Sequence, residues 1–120
     1  MIKQRQRDAA RQMSMGRQMG SVPGADVVVT NPFHIAVALQ YKHNQMDAPV
    51  VVAKGKRLVA LQIRQVATHH KVPIIENPPL ARGLFKSAEV FSRVPPRFYK
   101  PVAEILAFVY NLRKNREKYR

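Results

Sequence analysis

Cysteine is absent from the 120-residue sequence. Neither a disulfide framework nor a thiolate metal site can form, which suits a reducing compartment. Acidic residues are scarce, seven against 21 Lys and Arg, and the formal net charge is +14. No apolar run is long enough to cross a bilayer, and the N-terminus lacks the apolar core of a secretory signal. Its Arg-rich, acid-poor start shares the composition of a mitochondrial transit peptide, but the patterning of the rest points elsewhere. There is no Gly-rich phosphate loop; Gly55 stands alone. Internal repeats are also missing. His34, His43, His69 and His70 fall on a turn, a loop and a helix end without metal-ligand spacing, so neither a metal nor a cofactor is expected. A helix C-terminus accounts for His69 and His70 equally well. Asp26 and Glu76 fall at a strand start and a strand end and read as carboxylates facing basic groups rather than as a catalytic pair.

The length fits one compact domain with a modest core. With 46% hydrophobic residues, most of the chain should be globular rather than disordered. The positive charge is concentrated at the ends. Residues 1–20 carry Lys3, Arg5, Arg7, Arg11 and Arg17 against Asp8, a net +4. Residues 111–120 carry Arg113, Lys114, Arg116, Lys118 and Arg120 against Glu117, another +4. Such ends suit phosphate, anionic lipid or acidic protein surfaces, and equally suit plain soluble tails.

Residues 1–20 read as polar and helix-prone, weakened by Gly16 and Gly20. Ser21-Val-Pro-Gly24 is a breaker. Asp26–Thr30 and Ile35–Tyr41 read as strands. In the second, Ile35, Val37, Leu39 and Tyr41 share one face, and Ala36, Ala38 and Gln40 the other. Ala48–Ala53 is a third strand, ended by Gly55, with Pro49 near its start. Lys56 to about His70 has helical spacing, with Val59, Ile63, Val66 and Ala67 on one side. Val72–Glu76 is a short fourth strand, and Asn77-Pro-Pro79 turns the chain into a short helix from Leu80 to about Phe85. Residues 87–95 look irregular. A last helix carries Val102, Ile105, Leu106 and Val109 on one face, with Pro101 either its first residue or a kink. Strands interleaved with helices predict an α/β domain with a small four-stranded sheet surrounded by helices. A basic helical linker precedes it. The Val-rich runs suggest strands covered on both faces. The expected division is a linker over 1–24, a domain over 25–112 and a basic tail over 113–120.

Asn31-Pro-Phe-His34 joins the first two strands. An Asn-Pro step there is either an ordinary turn or a peptide bond able to break itself. The Asn31 carboxamide nitrogen can attack its own carbonyl carbon, close a succinimide and release Pro32 as a free amine. Gln would close a larger ring, and ionised Asp lacks the nitrogen. Pro32 contributes a tertiary amide with fixed φ and restricts the residue before it. His34 is near enough to assist proton transfer or to hold the turn by packing. Phe33 supplies no reacting atom, but a bulky side chain resists φ > 0, so a turn demanding it there is strained. Asn77-Pro78 is an internal control: it reads as a helix-entry turn, with no cleavage expected. Lys54, Lys56, Arg57 and Arg64 form a possible basic face, either a docking site for acidic partners or a solvated surface.

Several blocks occur together in order: Ala25-Asp-Val-Val-Val-Thr-Asn-Pro32 with His34, Ala36-Val-Ala-Leu39, Ala48-Pro-Val-Val-Val-Ala-Lys-Gly55 and Leu58-Val-Ala-Leu61. Val72-Pro-Ile-Ile-Glu-Asn-Pro-Pro-Leu-Ala-Arg82 and Val102-Ala-Glu-Ile-Leu-Ala-Phe-Val-Tyr110 follow. Together they resemble the cytoplasmic domain of the FlhB/YscU (SctU) family, switch proteins of flagellar and injectisome type III export. Lys3-Gln-Arg-Gln-Arg7 is similar to that family's basic linker. The resemblance implies spontaneous cleavage between Asn31 and Pro32, halves that stay associated, and a switch from early to late export substrates. It implies export-apparatus proteins, export substrates and a length-control protein as partners. It also implies residence in the bacterial cytoplasm at the inner-membrane export apparatus, where full-length relatives are membrane-anchored. Two departures stand out. Phe33 replaces the Thr of the family's Asn-Pro-Thr-His motif, and the membrane helices are not in the sequence, as in an excised domain or a stand-alone relative. Apart from single-turnover self-cleavage, no enzyme activity is expected. The competing readings are a non-cleaving docking module, suggested by Phe33, and a basic nucleic-acid-binding domain supported by charge alone.

Overall fold

The computed structural model describes residues 13–118; the first twelve residues of the expected linker and the last two of the tail lie outside them. Helix α1 spans 13–21 of the described residues and runs into a 3-10 turn at Val22–Gly24. The strands are β1 (Val27–Asn31), β2 (Ile35–Gln40), β3 (Val50–Lys56) and β4 (Ile74–Glu76). The helices are α2 (Leu58–His69), α3 (Pro78–Ser87) and α4 (Tyr99–Lys118). One sheet has the order β3-β2-β1-β4. β1 and β2 form an antiparallel hairpin, β3 pairs antiparallel with β2, and β4 pairs parallel with β1 through the α2 crossover.

The two-residue alternation of the strands divides the core into two halves. Val27, Val29, Val37 and Leu39 point to one face and meet Leu80, Leu84, Val102 and Ile105 of α3 and α4. Val28, Ala36, Ala38 and Ala53 point to the other and meet Val22, Ala60, Ile63 and Ala67. Burial on both faces explains why the two hairpin strands read as nearly continuous Val and Ala runs. The division within β2 is the one its alternation predicts.

Several boundaries differ from the sequence reading; β3 and β4 each start two residues later than expected, at Val50 and Ile74. β3 does not stop at Ala53 but continues through Gly55 to Lys56, because Ile35, Ala36 and Val37 of β2 supply partners for it. α2 starts at Leu58 rather than Lys56, because Arg57 adopts φ 52, outside helical geometry. α3 starts at Pro78 rather than Leu80. The Asn77 side chain caps it and Pro occupies the first turn, where a missing N–H is harmless. Pro101 sits in the first turn of α4, which begins at Tyr99 after a 3-10 turn at Pro96–Phe98, so it neither opens nor kinks the helix.

Residues 87–95 contain almost no regular structure, yet they are pinned to the outer edge of β3. Phe91 N–H donates to Val51 O, Val51 N–H to Ser92 O, and Val94 N–H to Pro49 O. A second piece of that edge is closed by α1. The Lys54 N–H donates to Gln18 Oε1 at 3.1 Å, Gln18 is 7% exposed and Val22 is fully buried. Satisfying edge groups in this way removes a template for unwanted strand pairing.

Candidate functional site

The β1–β2 loop is closed at its base by the pairing of Asn31 with Ile35. Across it the His34 N–H donates to the Asn31 carbonyl oxygen at 3.0 Å. Pro32 occupies the second position of this turn and Phe33 the third, with φ 65. Proline followed by a positive φ is the type II arrangement, which favours Gly or Asn at the place Phe33 holds. The strain expected of a bulky residue there is therefore present.

Backbone contacts on both sides fix the loop. The buried Thr30 offers its carbonyl to the Asn77 N–H at 2.9 Å, tying the end of β1 to the end of β4. The His34 carbonyl accepts the Arg57 N–H at 2.9 Å, tying the start of β2 to the β3–α2 corner. Asn31 and Pro32 are half-buried, while Phe33 and His34 are exposed. Among the described residues no side-chain hydrogen bond engages the Asn31 carboxamide or the His34 imidazole. The carboxamide is thus free to turn onto its own carbonyl carbon, and the oxygen of that carbonyl already faces a backbone N–H. An N–H in that position stabilises charge developing on the oxygen during attack. It belongs to the His34 main chain, so the imidazole is not needed for it.

Asn77-Pro78 lies beside this loop, at the same end of the parallel β1–β4 pair, and is built differently. The Asn77 Oδ1 accepts the Leu80 N–H at 3.3 Å, and its carbonyl accepts the Ala81 N–H as the first acceptor of α3. The carboxamide is engaged in capping and the carbonyl is locked into the helix. The expected outcome for Asn77→Ala is a loss of about 1 kcal/mol of stability, read from urea unfolding, with the fragment pattern of the protein unchanged. Loss of a fragment ending at Asn77 would show that this second dipeptide reacts.

The four basic residues expected to share one face are divided. Lys54 and Lys56 both approach the Phe85 ring, at 5.2 and 4.8 Å. The Lys54 ammonium donates to the Phe85 and Ala88 carbonyls at 2.9 and 2.8 Å, which satisfies the C-terminal end of α3. Arg64, on α2 at the opposite face of the sheet, places its guanidinium 4.8 Å from the Phe33 ring centroid. Arg57 occupies the corner between the two groups. The histidines are dispersed: His34 in the loop, His43 beside Tyr41, and His69 and His70 edge-to-face at the end of α2. Among the described residues no three His, Asp or Glu side chains cluster as a metal site. Asp26 accepts the Tyr41 N–H and pairs with Arg113 at one end of β1, while Glu76 lies at the other end.

Two features escaped the sequence reading. The Arg64–Phe33 stack joins residues 31 positions apart, with no periodicity to announce it. An apolar cleft of about 760 Å³, lined by Tyr41, Pro49, Tyr99 and Leu106 among others, lies toward the Asp26 end of β1. It is formed between α4 and the β2–β3 connection, elements far apart in the chain, and is not part of the loop just described. No described helix is long and apolar enough to cross a membrane.

Residues 1–109 match the family described as FlhB HrpN YscU SpaS. The chain is 51% identical over 113 residues to the flagellar biosynthetic protein FlhB of Salmonella typhimurium, covering 94% of this chain and 28% of that protein. It is 50% identical over 113 residues to FlhB of Bacillus subtilis, covering 94% and 30%. The chain thus spans less than a third of the length of these relatives. Among solved structures, the cytoplasmic domain of FlhB from Shewanella putrefaciens superposes with a TM-score of 0.82 at 38% identity, covering 87% of this chain and 80% of that one. A mutated EscU C-terminal domain gives 0.75 at 34% identity, covering 78% and 94%.

Proposed function

The chain belongs to the FlhB, HrpN, YscU and SpaS family, and from that premise we propose that it is a self-cleaving specificity-switch domain of a type III protein export apparatus. Asn31 is the nucleophile and Pro32 the leaving side. The observation that carries this reading is the contrast between two Asn-Pro steps in one sheet. At Asn31 no side-chain hydrogen bond among the described residues engages the carboxamide, and the carbonyl oxygen faces the His34 N–H. At Asn77 both groups are held by α3.

In this reading residues 25–112 are the switch domain, 1–24 the linker to a membrane anchor and 113–120 a basic tail. Gln18 and Val22 support a linker that docks on the domain rather than hanging free. The partners are export-apparatus proteins, export substrates and a length-control protein, met in the bacterial cytoplasm at the inner-membrane export apparatus. Cleavage leaves β1 and β2 paired at all five register positions, so the fold persists while the new ends beside Asn31 and Pro32 gain freedom. That freedom reshapes the loop surface seen by partners, to which Lys56 and Arg57 contribute their exposed side chains.

Phe33 at φ 65 favours a second reading, a docking module in which the strained turn keeps Asn31 from attack. Intact mass under denaturing conditions separates the two. Two fragments meeting at Asn31 and Pro32 are expected; one unbroken chain after prolonged warm storage supports the docking module and ends the switch proposal.

A further inference from the structure

We propose that Arg64 is a positioning residue for cleavage at Asn31–Pro32: its guanidinium, stacked on the Phe33 ring, holds the turn in the conformation that keeps the His34 N–H on the reacting carbonyl. The proposal rests on the self-cleavage reading above and extends it to a residue remote from the reacting atoms.

Phe33 has φ 65 and is 72% exposed. A non-glycine residue leaves the left-handed region unless its surroundings hold it there, and this ring has little packing around it. Against its face lies Arg64, whose guanidinium carbon is 4.8 Å from the ring centroid. Arg64 is presented by α2, and α2 is anchored by the buried Ile63 and Ala67 on its sheet-facing side. The guanidinium is also partly withdrawn from solvent. Arg64 Nε is buried and has no hydrogen-bond partner among the described residues. Cation–π attraction strengthens as the cation is desolvated, so the ring face is the principal interaction for that end of the side chain.

The consequence passes through one peptide unit. Phe33 immediately precedes His34, so the Phe33 backbone angles aim the His34 N–H. With φ at 65 that N–H meets the Asn31 oxygen; with the Pro32–Phe33 peptide held as it is, a return of Phe33 to negative φ would swing it away, and only a concerted flip of that peptide to a type I turn would restore it. In the reaction, Asn31 Nδ2 bonds to the Asn31 carbonyl carbon, and the oxygen carries the negative charge of the tetrahedral species. The carbon–nitrogen bond to Pro32 then breaks. The proton lost by Nδ2 ends on the Pro32 nitrogen, giving a succinimide and a free secondary amine with no further reactant. The His34 N–H acts on the charged oxygen, and Arg64 acts by keeping it there.

Because the clamp needs an aromatic ring at position 33, its effect must vanish with that ring. The experiment uses four versions of the 120-residue chain: unsubstituted, Arg64→Gln, Phe33→Thr and the double variant. Each is made fresh, and fragment appearance is followed by denaturing mass spectrometry, with thermal midpoints as the folding control. Arg64→Gln is expected to slow cleavage about fivefold in the Phe33 chain, the scale of a cation–π contact, and to leave the Phe33→Thr chain nearly unchanged. Equal slowing in both backgrounds, or none in either, overturns the positioning role while self-cleavage stands. If none of the four chains splits, the self-cleavage reading fails and this role fails with it. A second readout uses the non-reacting Asn31→Ala chain, where the Arg64 δ protons should show an aromatic upfield NMR shift that disappears on Phe33→Thr. Absence of that shift also overturns the clamp.

Discussion

Asn31→Ala is expected to leave one unbroken chain under denaturing conditions at every age of the preparation, where the unsubstituted protein is expected to resolve into two. Ala retains the backbone pairing with Ile35 and the carbonyl that receives the His34 N–H. It removes the carboxamide, and with it the nitrogen that attacks. Because no side-chain hydrogen bond to Asn31 is lost among the described residues, the fold and its stability should be nearly unchanged. Rate rather than structure is the quantity affected. A half-life of an hour corresponds to a barrier of about 22 kcal/mol, which intramolecular placement of the carboxamide can reach. Without that nitrogen the bond depends on external water, and cleavage drops below detection. Asn31→Asp should behave almost identically at neutral pH, since an ionised carboxylate has no amide nitrogen to donate. If Asn31→Ala still yields the same two fragments, the cut comes from a contaminating protease or another residue.

Unfolding separates the two forms in a second way. In the intact variant the transition is unimolecular. In the cleaved protein the β1 side and the β2 side are separate chains, so unfolding becomes dissociation and its midpoint rises with protein concentration. Under native conditions the two forms should elute together, because the hairpin pairing and both halves of the core remain. A midpoint independent of concentration in cleaved material would mean that the segment before Asn31 contributes little to the fold, against the full burial of Val27, Val28 and Val29.

The features visible in the sequence are those produced by local pattern. Ala36 and Val37, Ile63 and Ala67, or Val102 and Ile105 declare their faces through spacing alone, and the structure buries them accordingly. Asn77 announces a helix entry because Pro78 and Pro79 follow it. The candidate loop was legible as a dipeptide between two strands, and the cost of Phe33 followed from its β-carbon. Contacts made across the chain were not legible. The charge of Lys54 marks it as a surface residue, but its ammonium sits on the carbonyl end of α3. Gly55 looks like a strand terminator, yet it continues the strand because β2 extends alongside it. Arg64 is one cation among 21 until a fold brings Phe33 beneath it.

Gly55→Ala is the substitution with the largest expected effect on stability, and it tests whether the fold positions the loop. A β-carbon at residue 55 would lie 2.1 Å from Val59 Cγ1, 2.6 Å from Val59 Cβ and 3.3 Å from the Val59 backbone carbon. A flexible side chain could swing aside, but Val59 is β-branched and stiff at χ1. Its β-carbon and main chain are part of α2 itself. The helix must therefore move off the sheet, opening the contacts of Ala60 and Ile63 with Val28, Ala36 and Ala38. Overpacking of this kind costs about 2–3 kcal/mol, enough to lower the thermal midpoint by roughly 10 °C or more in a domain of this size. Pairing it with Val59→Ala should recover part of the loss, because the nearest clashing atom is then gone. The movement also displaces Arg57, whose N–H holds the His34 carbonyl, and Arg64, which covers Phe33. Cleavage in the Gly55→Ala chain is accordingly expected to slow several-fold at a temperature where the protein remains folded. If stability falls and the cleavage rate does not, the β3–α2 corner supports the domain without positioning the loop, and the geometry around Asn31 is set by the β1–β2 hairpin alone.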